Sequence, residues 1–347
     1  MKKIFFAGSV FTMSIFCGLL VRGKASYNVE INKAELAITN KNFTSAETHY
    51  LAAFKINETP PAIDLQNAIT TAIKNGKLDL SFELCRKLAS LGVGRRYFEQ
   101  RKFAPLNQMK GWQEILYYAE RKKEEFKNEN SALYEMQKEH FAVTRASFND
   151  ISSDSMLLLS KKKREIENRL LDIFRRNGYL SEYKIGVNLK EDTLITDPVF
   201  TEIIEWNYIV QLSTHEQAYL IPDTFYSILK TAHDQGLVPY DYIERVVSNQ
   251  SVDSLRLPRP DVAHCKVYLC ASTASPEKID VGRKLLGLCT YDEYLQKIRY
   301  SVDNAKDDFN ISPIVKHLTF RNSMQTNDRL LSYCDPFMDI PNCNGSR

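Results

Sequence analysis

The stretch FTSAETHYLAAF, residues 43–54, decides the fold because its apolar residues recur at helical spacing. One face of a helix over this stretch would carry Phe43, Ala46, Tyr50 and Ala53. Residues 29–39 show a second helical pattern, and the segment Asn40-Lys41-Asn42 separates the two patterns. The sequence therefore predicts two antiparallel helices, with small alanines that let their backbones approach closely.

The same arrangement recurs about one repeat length further along the chain. A helical pattern over residues 63–74 ends at Asn75-Gly76, and the second-helix spacing returns at Leu78, Ser81, Cys85 and Leu88. Phe43 and Leu78 are 35 residues apart, close to the roughly 34-residue period of tetratricopeptide repeats. The N-terminal part thus resembles that family, and a less regular third pair is expected over residues 98–126. The alternative is a helical bundle without repeats.

Beyond this region the chain is also predicted to be mostly helical. A long solvated helix is expected over residues 121–145, a polar turn over 149–154 and a helix over 160–177. Irregular chain is expected over 185–196 and a loop over 253–263, with a short strand at 266–270. Further helices are predicted at residues 200–212, 222–236, 240–248, 281–286 and 292–305. The fold class is therefore mainly α, with N-terminal antiparallel helix pairs and a helical C-terminal domain that contains a small β-hairpin.

The first 25 residues have the pattern of a secretory signal peptide. Lys2 and Lys3 precede an apolar stretch over residues 4–21, and Gly23-Lys24-Ala25 offers small residues for cleavage. An uncleaved anchor and a lipid anchor at Cys17 are the alternatives. The four basic residues of this segment would leave with it, which takes the formal net charge from +3 to −1. We therefore expect an exported protein, periplasmic or extracellular, with no electrostatic reason to bind nucleic acid and no membrane contact beyond the signal.

The cysteine count fits export, because six cysteines remain after Cys17 is set aside. A disulfide between Cys334 and Cys343 is expected to staple the C-terminal tail, and one pair among Cys265, Cys270 and Cys289 is a second expectation. Cys85 lies on an apolar helix face and is expected to be a buried free thiol. The chain is expected to divide into a signal peptide (1–25), a helical-repeat domain (26–150), a mostly helical domain (151–330) and a stapled or flexible tail (331–347).

Residues 205–298 resemble an uncharacterised bacterial domain family that is common in exported Bacteroidota proteins. The family motifs correspond here to His215, to a helix that ends at Gly236, to Glu244-Arg245, and to Asp280, Arg283, Gly287 and Leu288. Where the family has Gln-x-Tyr-Gly-Thr, this chain has residues 266–270, Lys-Val-Tyr-Leu-Cys, and only the tyrosine is kept. The resemblance implies a domain but no activity.

The same region holds the best candidates for chemistry. They are possible bases, acids and anion binders, namely His215, Glu244, Arg245, His264, Tyr268, Asp280 and Arg283. The competing interpretation is that the acids and arginines form ion pairs that orient helices. A zinc site at His264 and its neighbouring cysteines is disfavoured, because the spacing is wide and export favours disulfides. No cofactor motif is present in the sequence.

Two functions follow from these patterns. In the first, the helix pairs bind a partner protein or peptide and the chain catalyses no reaction. An exposed groove on the inner surface of the repeats would support this function, and an inner surface filled by the C-terminal domain would count against it. In the second, the chain is a hydrolase-like enzyme of the cell envelope, with a histidine base and an arginine anion binder in one pocket.

Overall fold

A computed structural model describes residues 26–149, 153–190, 192–195, 200, 203, 223–239, 242, 259–263, 266–270, 275–285, 287–304, 307–311 and 334–339. The N-terminal helices are α1 (Tyr27–Thr39), α2 (Phe43–Ile56), α3 (Ala62–Lys74), α4 (Leu78–Ser90) and α5 (Arg95–Phe98). The later helices are α6 (Trp112–Glu129), α7 (Ser131–Asn149), α8 (Ser153–Asn177), α9 (Glu182–Ile185), α10 (Asp223–Asp234), α11 (Pro276–Leu285) and α12 (Tyr291–Asp303). The fold is mainly α, as predicted.

The two predicted helix pairs are present, and their boundaries are close to those expected. Helix α1 packs on α2, and α3 packs on α4, with short connections between the members of each pair. The Asn42 side chain accepts a hydrogen bond from the Ser45 amide at 3.1 Å, which caps α2 and marks its start. Neighbouring helices therefore pair in an antiparallel arrangement that is compatible with helical repeats.

The third pair is less regular than expected over residues 98–126. Its first member is replaced by the single turn α5 and a 3-10 helix, Arg101–Leu106, which contains Pro105. Here the aromatic rings pack on one another rather than along a helix face, and the rings of Phe98 and Trp112 meet edge to face at 5.8 Å. This cluster closes the end of the α3–α4 pair against α6.

The predicted long helix over residues 121–145 is in fact two helices, α6 and α7. Asn130 lies between them, and both its backbone amide and its side-chain amide donate to the Phe126 carbonyl, at 2.9 and 3.0 Å. An asparagine side chain can satisfy the open carbonyls at a helix end. The chain therefore turns without the glycine or proline on which a break was expected to depend.

The strands form two small antiparallel sheets. Strands β1 (Asn188–Lys190) and β2 (Thr193–Ile195) form a hairpin in a segment that was predicted to be irregular. Strands β3 (Arg259–Ala263), β4 (Lys266–Cys270) and β5 (Cys334–Asp339) form a sheet in the order β3-β4-β5. The strand predicted at 266–270 is confirmed, whereas the loop predicted through 259–263 is wrong. Prolines in β3 and β5 are tolerated because both strands lie at sheet edges.

One hydrophobic core joins the helix pairs to later parts of the chain. It includes Tyr27 and Ile31 of α1 together with Phe225 of α10 and Tyr300 of α12. The C-terminal elements thus pack on the N-terminal helices across the boundary expected near residue 150.

Several predicted features fall outside the described residues. They are the signal segment, most of the predicted helix at 200–212 and nearly all of that at 240–248. Within the part of the chain that the structure describes, no helix is long and apolar enough to cross a membrane.

Candidate functional site

Two of the seven candidate residues lie at the junction of α11 and α12, where both hold helix ends. Asp280 accepts a hydrogen bond from the Tyr291 amide at 2.6 Å, at the first residue of α12. Arg283 is fully buried, and its Nε donates to the Cys289 carbonyl at 2.5 Å while Nη2 lies 3.1 Å from the Cys289 Sγ. A carboxylate at a helix N-terminus and an arginine on a carbonyl are stabilising contacts.

The remaining residues of this motif also act in the turn. Gly287 has a φ of +65°, a conformation that glycine adopts without strain, and the Leu288 amide donates to the Arg283 carbonyl at 3.0 Å. Leu288 is buried, and Thr290 and Glu293 form a reciprocal capping box at the start of α12. Local folding thus accounts for the motif that carries the family resemblance.

The structure describes only three of the seven candidate residues, namely Tyr268, Asp280 and Arg283. His215, Glu244, Arg245 and His264 lie outside the described residues, and Tyr268 lies in the central strand β4. Among the described residues no group of three or more histidines, cysteines, aspartates and glutamates could hold a metal ion. Convergence of the seven residues on one pocket therefore stays a prediction.

Two of the cysteines are buried within the described residues. Cys85 is a buried free thiol, as predicted, and burial raises its pKa. Cys289 is also buried and forms no disulfide, and its Sγ lies beside Arg283. Cys265 and Cys343 lie outside the described residues, and the tail residue Cys334 begins strand β5.

The inner surface of the helix pairs, formed by α1 and α3, is covered by later segments of the chain. An ion pair joins Lys297 of α12 to Glu35 of α1, with Nζ and Oε2 2.6 Å apart and both side chains under 10% exposed. Burial opposes the charge on Lys297, but the Glu35 carboxylate outweighs it and raises the lysine pKa. This surface therefore includes a fully enclosed ion pair.

Asparagine side chains make several further contacts between the helix pairs and later segments. Asn67 of α3 clamps the backbone of Asn310: its Nδ2 donates to the Asn310 carbonyl at 3.1 Å, and its Oδ1 accepts from the Asn310 amide at 2.8 Å. Asn28 donates to the His233 carbonyl at 3.0 Å, and Asn57 donates to the Gly236 carbonyl at 2.8 Å. The inner surface is thus filled by the chain itself, which counts against an open peptide groove there.

A separate groove of about 590 Å³ lies between helices α6 and α7 and the segment that leads into β1. Its apolar lining comes from Phe126, Tyr134, Val187 and Leu189. The Phe126 ring packs so closely on Gly186 that a Cβ there would lie 3.1 Å from its Cγ. The groove therefore owes its shape to a glycine at the strand entrance.

Residues 186–189, which lead into β1 and include its first two residues, line one side of this groove. Lys190 and Thr193 close the hairpin as a hydrogen-bonded pair, so the alternation of antiparallel pairs turns the Leu189 N–H and C=O away from β2. Within the described residues no hydrogen bond uses these two groups, whereas the Val187 amide, on the same edge, donates to the Leu91 carbonyl at 3.2 Å.

Three lysines and two glutamates line the groove, so its rim carries a small excess of positive charge. Lys127 and Lys138 lie beside Glu124 and Glu135, at 4.0 and 2.5 Å respectively. Lys123 is exposed and makes no ion pair within the described part of the chain. The sequence predicts a solvated helix face for this charged stretch, and the groove was not predicted. The alternating pair Val187 and Leu189 before a polar turn was the signal that could have revealed the strand.

Two buried ionisable groups lie elsewhere in the fold. Burial raises the pKa of Glu182 to about 7, even though its Oε2 accepts a hydrogen bond from the Ala62 amide at 2.6 Å. His140 lies between α7 and α8 and is 1% exposed, and neither ring nitrogen has a hydrogen-bond partner among the described residues. Burial, and then repulsion by Lys163, lowers its pKa to about 4. The charge of Glu182 acts on two buried or partly buried phenols, because it helps to raise the pKa of Tyr179 and of Tyr183.

Comparison of the chain with protein-family models, with curated proteins and with solved structures found no match. The resemblance of residues 205–298 to a bacterial domain family therefore stays a prediction.

Proposed function

We propose that this chain is an exported helical-repeat protein that binds an extended peptide segment of a partner protein and catalyses no reaction. The open edge of β1 along the groove carries the proposal, because an extended chain can pair with an unpaired strand edge. The Leu189 N–H and C=O would bond the backbone of the peptide. The partner would thus add a third strand to the β1–β2 hairpin.

The lining of the groove indicates which peptide would fit. The rings of Phe126 and Tyr134 offer contact area to an apolar side chain that points into the groove. Lys123 at the rim would meet a carboxylate of the peptide. We therefore propose an extended segment that carries an apolar anchor with an acidic residue nearby.

The proposed site differs from the one that the sequence suggested. In tetratricopeptide-like modules the inner helices usually receive the peptide, but here α1 and α3 contact residues of the same chain. A tetratricopeptide-like origin of the pairs and a Bacteroidota-type C-terminal domain remain part of the proposal, as does export by the N-terminal segment. No observation on the described residues favours the enzyme alternative.

A selection from a phage-displayed library of random peptides tests the proposal, followed by affinity measurements on Leu189→Pro. Proline removes the outward N–H and no bond to β2, so the hairpin should persist. We expect the selected peptides to be rich in acidic and apolar residues, and to lose affinity about 10-fold or more on this variant. Leu189→Ala is the matched control, because it retains the N–H.

The rim is tested with a pair of charge reversals. Lys123→Glu should weaken binding of an acidic peptide, whereas Lys162→Glu makes the same charge change on the exposed surface of α8 and should not. Equal binding to Leu189→Pro and to the unmodified protein, or a selection that enriches no peptide, would contradict the proposal.

A further inference from the structure

Two cysteines that lie far apart in the sequence are direct neighbours in the three-stranded sheet. Cys270 ends β4 and Cys334 begins β5, and the antiparallel register places the two opposite each other. Residues in register on adjacent strands share one face of a sheet. The pair therefore lies at one end of the β4–β5 ladder.

Proline fixes the kind of pair that these cysteines form. In an antiparallel ladder, pairs that exchange two hydrogen bonds alternate with pairs that exchange none. Tyr268 lies opposite Pro336, which has no N–H and cannot exchange two bonds. Cys270 lies two positions further along β4 than Tyr268. Its pair with Cys334 is therefore also one that exchanges no hydrogen bonds.

A second proline on the other side of β4 gives the same result. Pro260 of β3 lies opposite Leu269, so Leu269 directs its backbone groups to β5 and Cys270 directs its own to β3. The prolines of β3 and β5 therefore indicate, independently, the same order of hydrogen-bonded and non-hydrogen-bonded positions along β4. Non-hydrogen-bonded pairs have the shorter Cα separation, about 4.5 Å, which is within the roughly 4.4–6.8 Å range of disulfides.

We propose that Cys270 and Cys334 form a disulfide that links β4 to β5. Its formation joins the two sulfur atoms and releases two protons and two electrons. A disulfide of an exchange catalyst or of oxidised glutathione accepts the electrons and becomes two thiols. The bond would close the long loop between residues 270 and 334 and fix the C-terminal strand to the sheet.

This pairing differs from the one that the spacing suggested. A bridge from Cys334 to Cys343 would join residues close in sequence, whereas the strand register gives Cys334 a partner across the ladder. Cys289 and Cys85 do not compete, because both are buried and neither forms a disulfide. Of the six cysteines, four then remain outside the proposed bridge, namely Cys85, Cys265, Cys289 and Cys343.

Peptide mapping of the full chain identifies the bond directly. The protein is equilibrated in a glutathione redox buffer, its free thiols are alkylated under denaturing conditions, and it is digested with trypsin and then with Asp-N endopeptidase. Residues 267–278 and 330–334 should appear as one linked species, because cleavage before Asp335 and Asp339 separates the two tail cysteines. Recovery of both cysteines alkylated, or of Cys334 linked to Cys343, would overturn the proposal.

Thermal unfolding gives a second, independent result. Cys270→Ser and Cys334→Ser should each lower the Tm by about 5 °C, and a reductant should lower the Tm of the unmodified protein but not that of either variant. Cys343→Ser is the control and should leave both the linked species and the Tm unchanged. A Tm that is insensitive to reductant in the unmodified protein would also contradict the bridge.

Discussion

The inner surface of the helix pairs and the α7–α8 hairpin differ in the partners that Glu35, Asn67 and His140 find there. Glu35 and Asn67 find charged or backbone partners in segments more than 200 residues away. His140, in contrast, is enclosed between α7 and α8, and neither ring nitrogen has a hydrogen-bond partner among the described residues. The ion pairs of the hairpin, such as Arg169 with Glu139 at 2.7 Å, are about half exposed.

The contrast indicates how strongly each of these polar groups affects the stability of the fold. Enclosed and paired groups lose much free energy when one partner is removed, whereas exposed ion pairs contribute about 0–1 kcal/mol. An unsatisfied buried group lowers stability as it stands. Substitutions of these groups on the inner surface should therefore lower the stability of the fold, whereas replacing the unsatisfied group in the hairpin should raise it.

The largest expected effect is at the enclosed ion pair. Lys297→Met leaves the Glu35 carboxylate buried without its cation, and it should lower the free energy of unfolding by about 3–5 kcal/mol. Urea denaturation measures the change.

The double variant Glu35→Met with Lys297→Met separates the loss of a partner from the loss of the pair. Two apolar residues leave no uncompensated charge, so the double variant should regain most of the lost stability. If the single variant lost less than about 1 kcal/mol, the pair would not be enclosed in solution and the comparison would fail.

The next effect is at the Asn67 clamp. Asn67→Ala removes both bonds to the Asn310 backbone and should lower the free energy of unfolding by about 2 kcal/mol. Asn107→Ala, at an exposed position, should change it by less than about 0.5 kcal/mol. Equal effects of the two substitutions, measured by urea denaturation, would show that the clamp does not hold residues 307–311.

The smallest effect has the opposite sign. His140→Leu replaces an unsatisfied imidazole with an apolar side chain of similar size, and it should raise the free energy of unfolding by about 1 kcal/mol at pH 7. A loss of stability would indicate that His140 has a partner in solution.

The pH dependence of the same variant sharpens this test. The pKa of His140 is about 4 in the fold and lower than in the unfolded chain, where it is about 6.5. Its neutral form therefore favours folding above pH 6.5, and this contribution is lost as the pH falls from about 6.5 towards 4. Stability should fall less over this range in His140→Leu, with the remaining histidine contribution from His233, whose pKa is also lowered to about 4 by burial.

The helix pairs were predictable because their signals are local. Apolar spacing and the Asn75-Gly76 turn set the elements within a residue or two of those observed. The break at Asn130 was missed because an asparagine side chain replaces the usual glycine. Strand β3 was missed because Pro260 indicates a loop, unless the strand is known to lie at a sheet edge.

The candidate site was less predictable, since its contacts span the whole chain. The motif at Asp280 and Arg283 suggested a site, yet both side chains hold the α11–α12 turn. The groove was missed because residues from α6, α7 and β1 meet there, and no single stretch of sequence carries them together. Outward-facing backbone groups, such as those of Leu189, cannot be recognised from the pattern of side chains in a sequence.

Because later segments of the chain cover α1, the order of synthesis determines when its inner face can be buried. Glu35 leaves the ribosome 262 residues before Lys297, the residue that neutralises it. At about 5–20 residues per second, the first helix pair waits for tens of seconds with its inner face open to water and to other proteins. The nascent chain would therefore be a ready client for a chaperone over that interval, and completion of α12 would end the need for one.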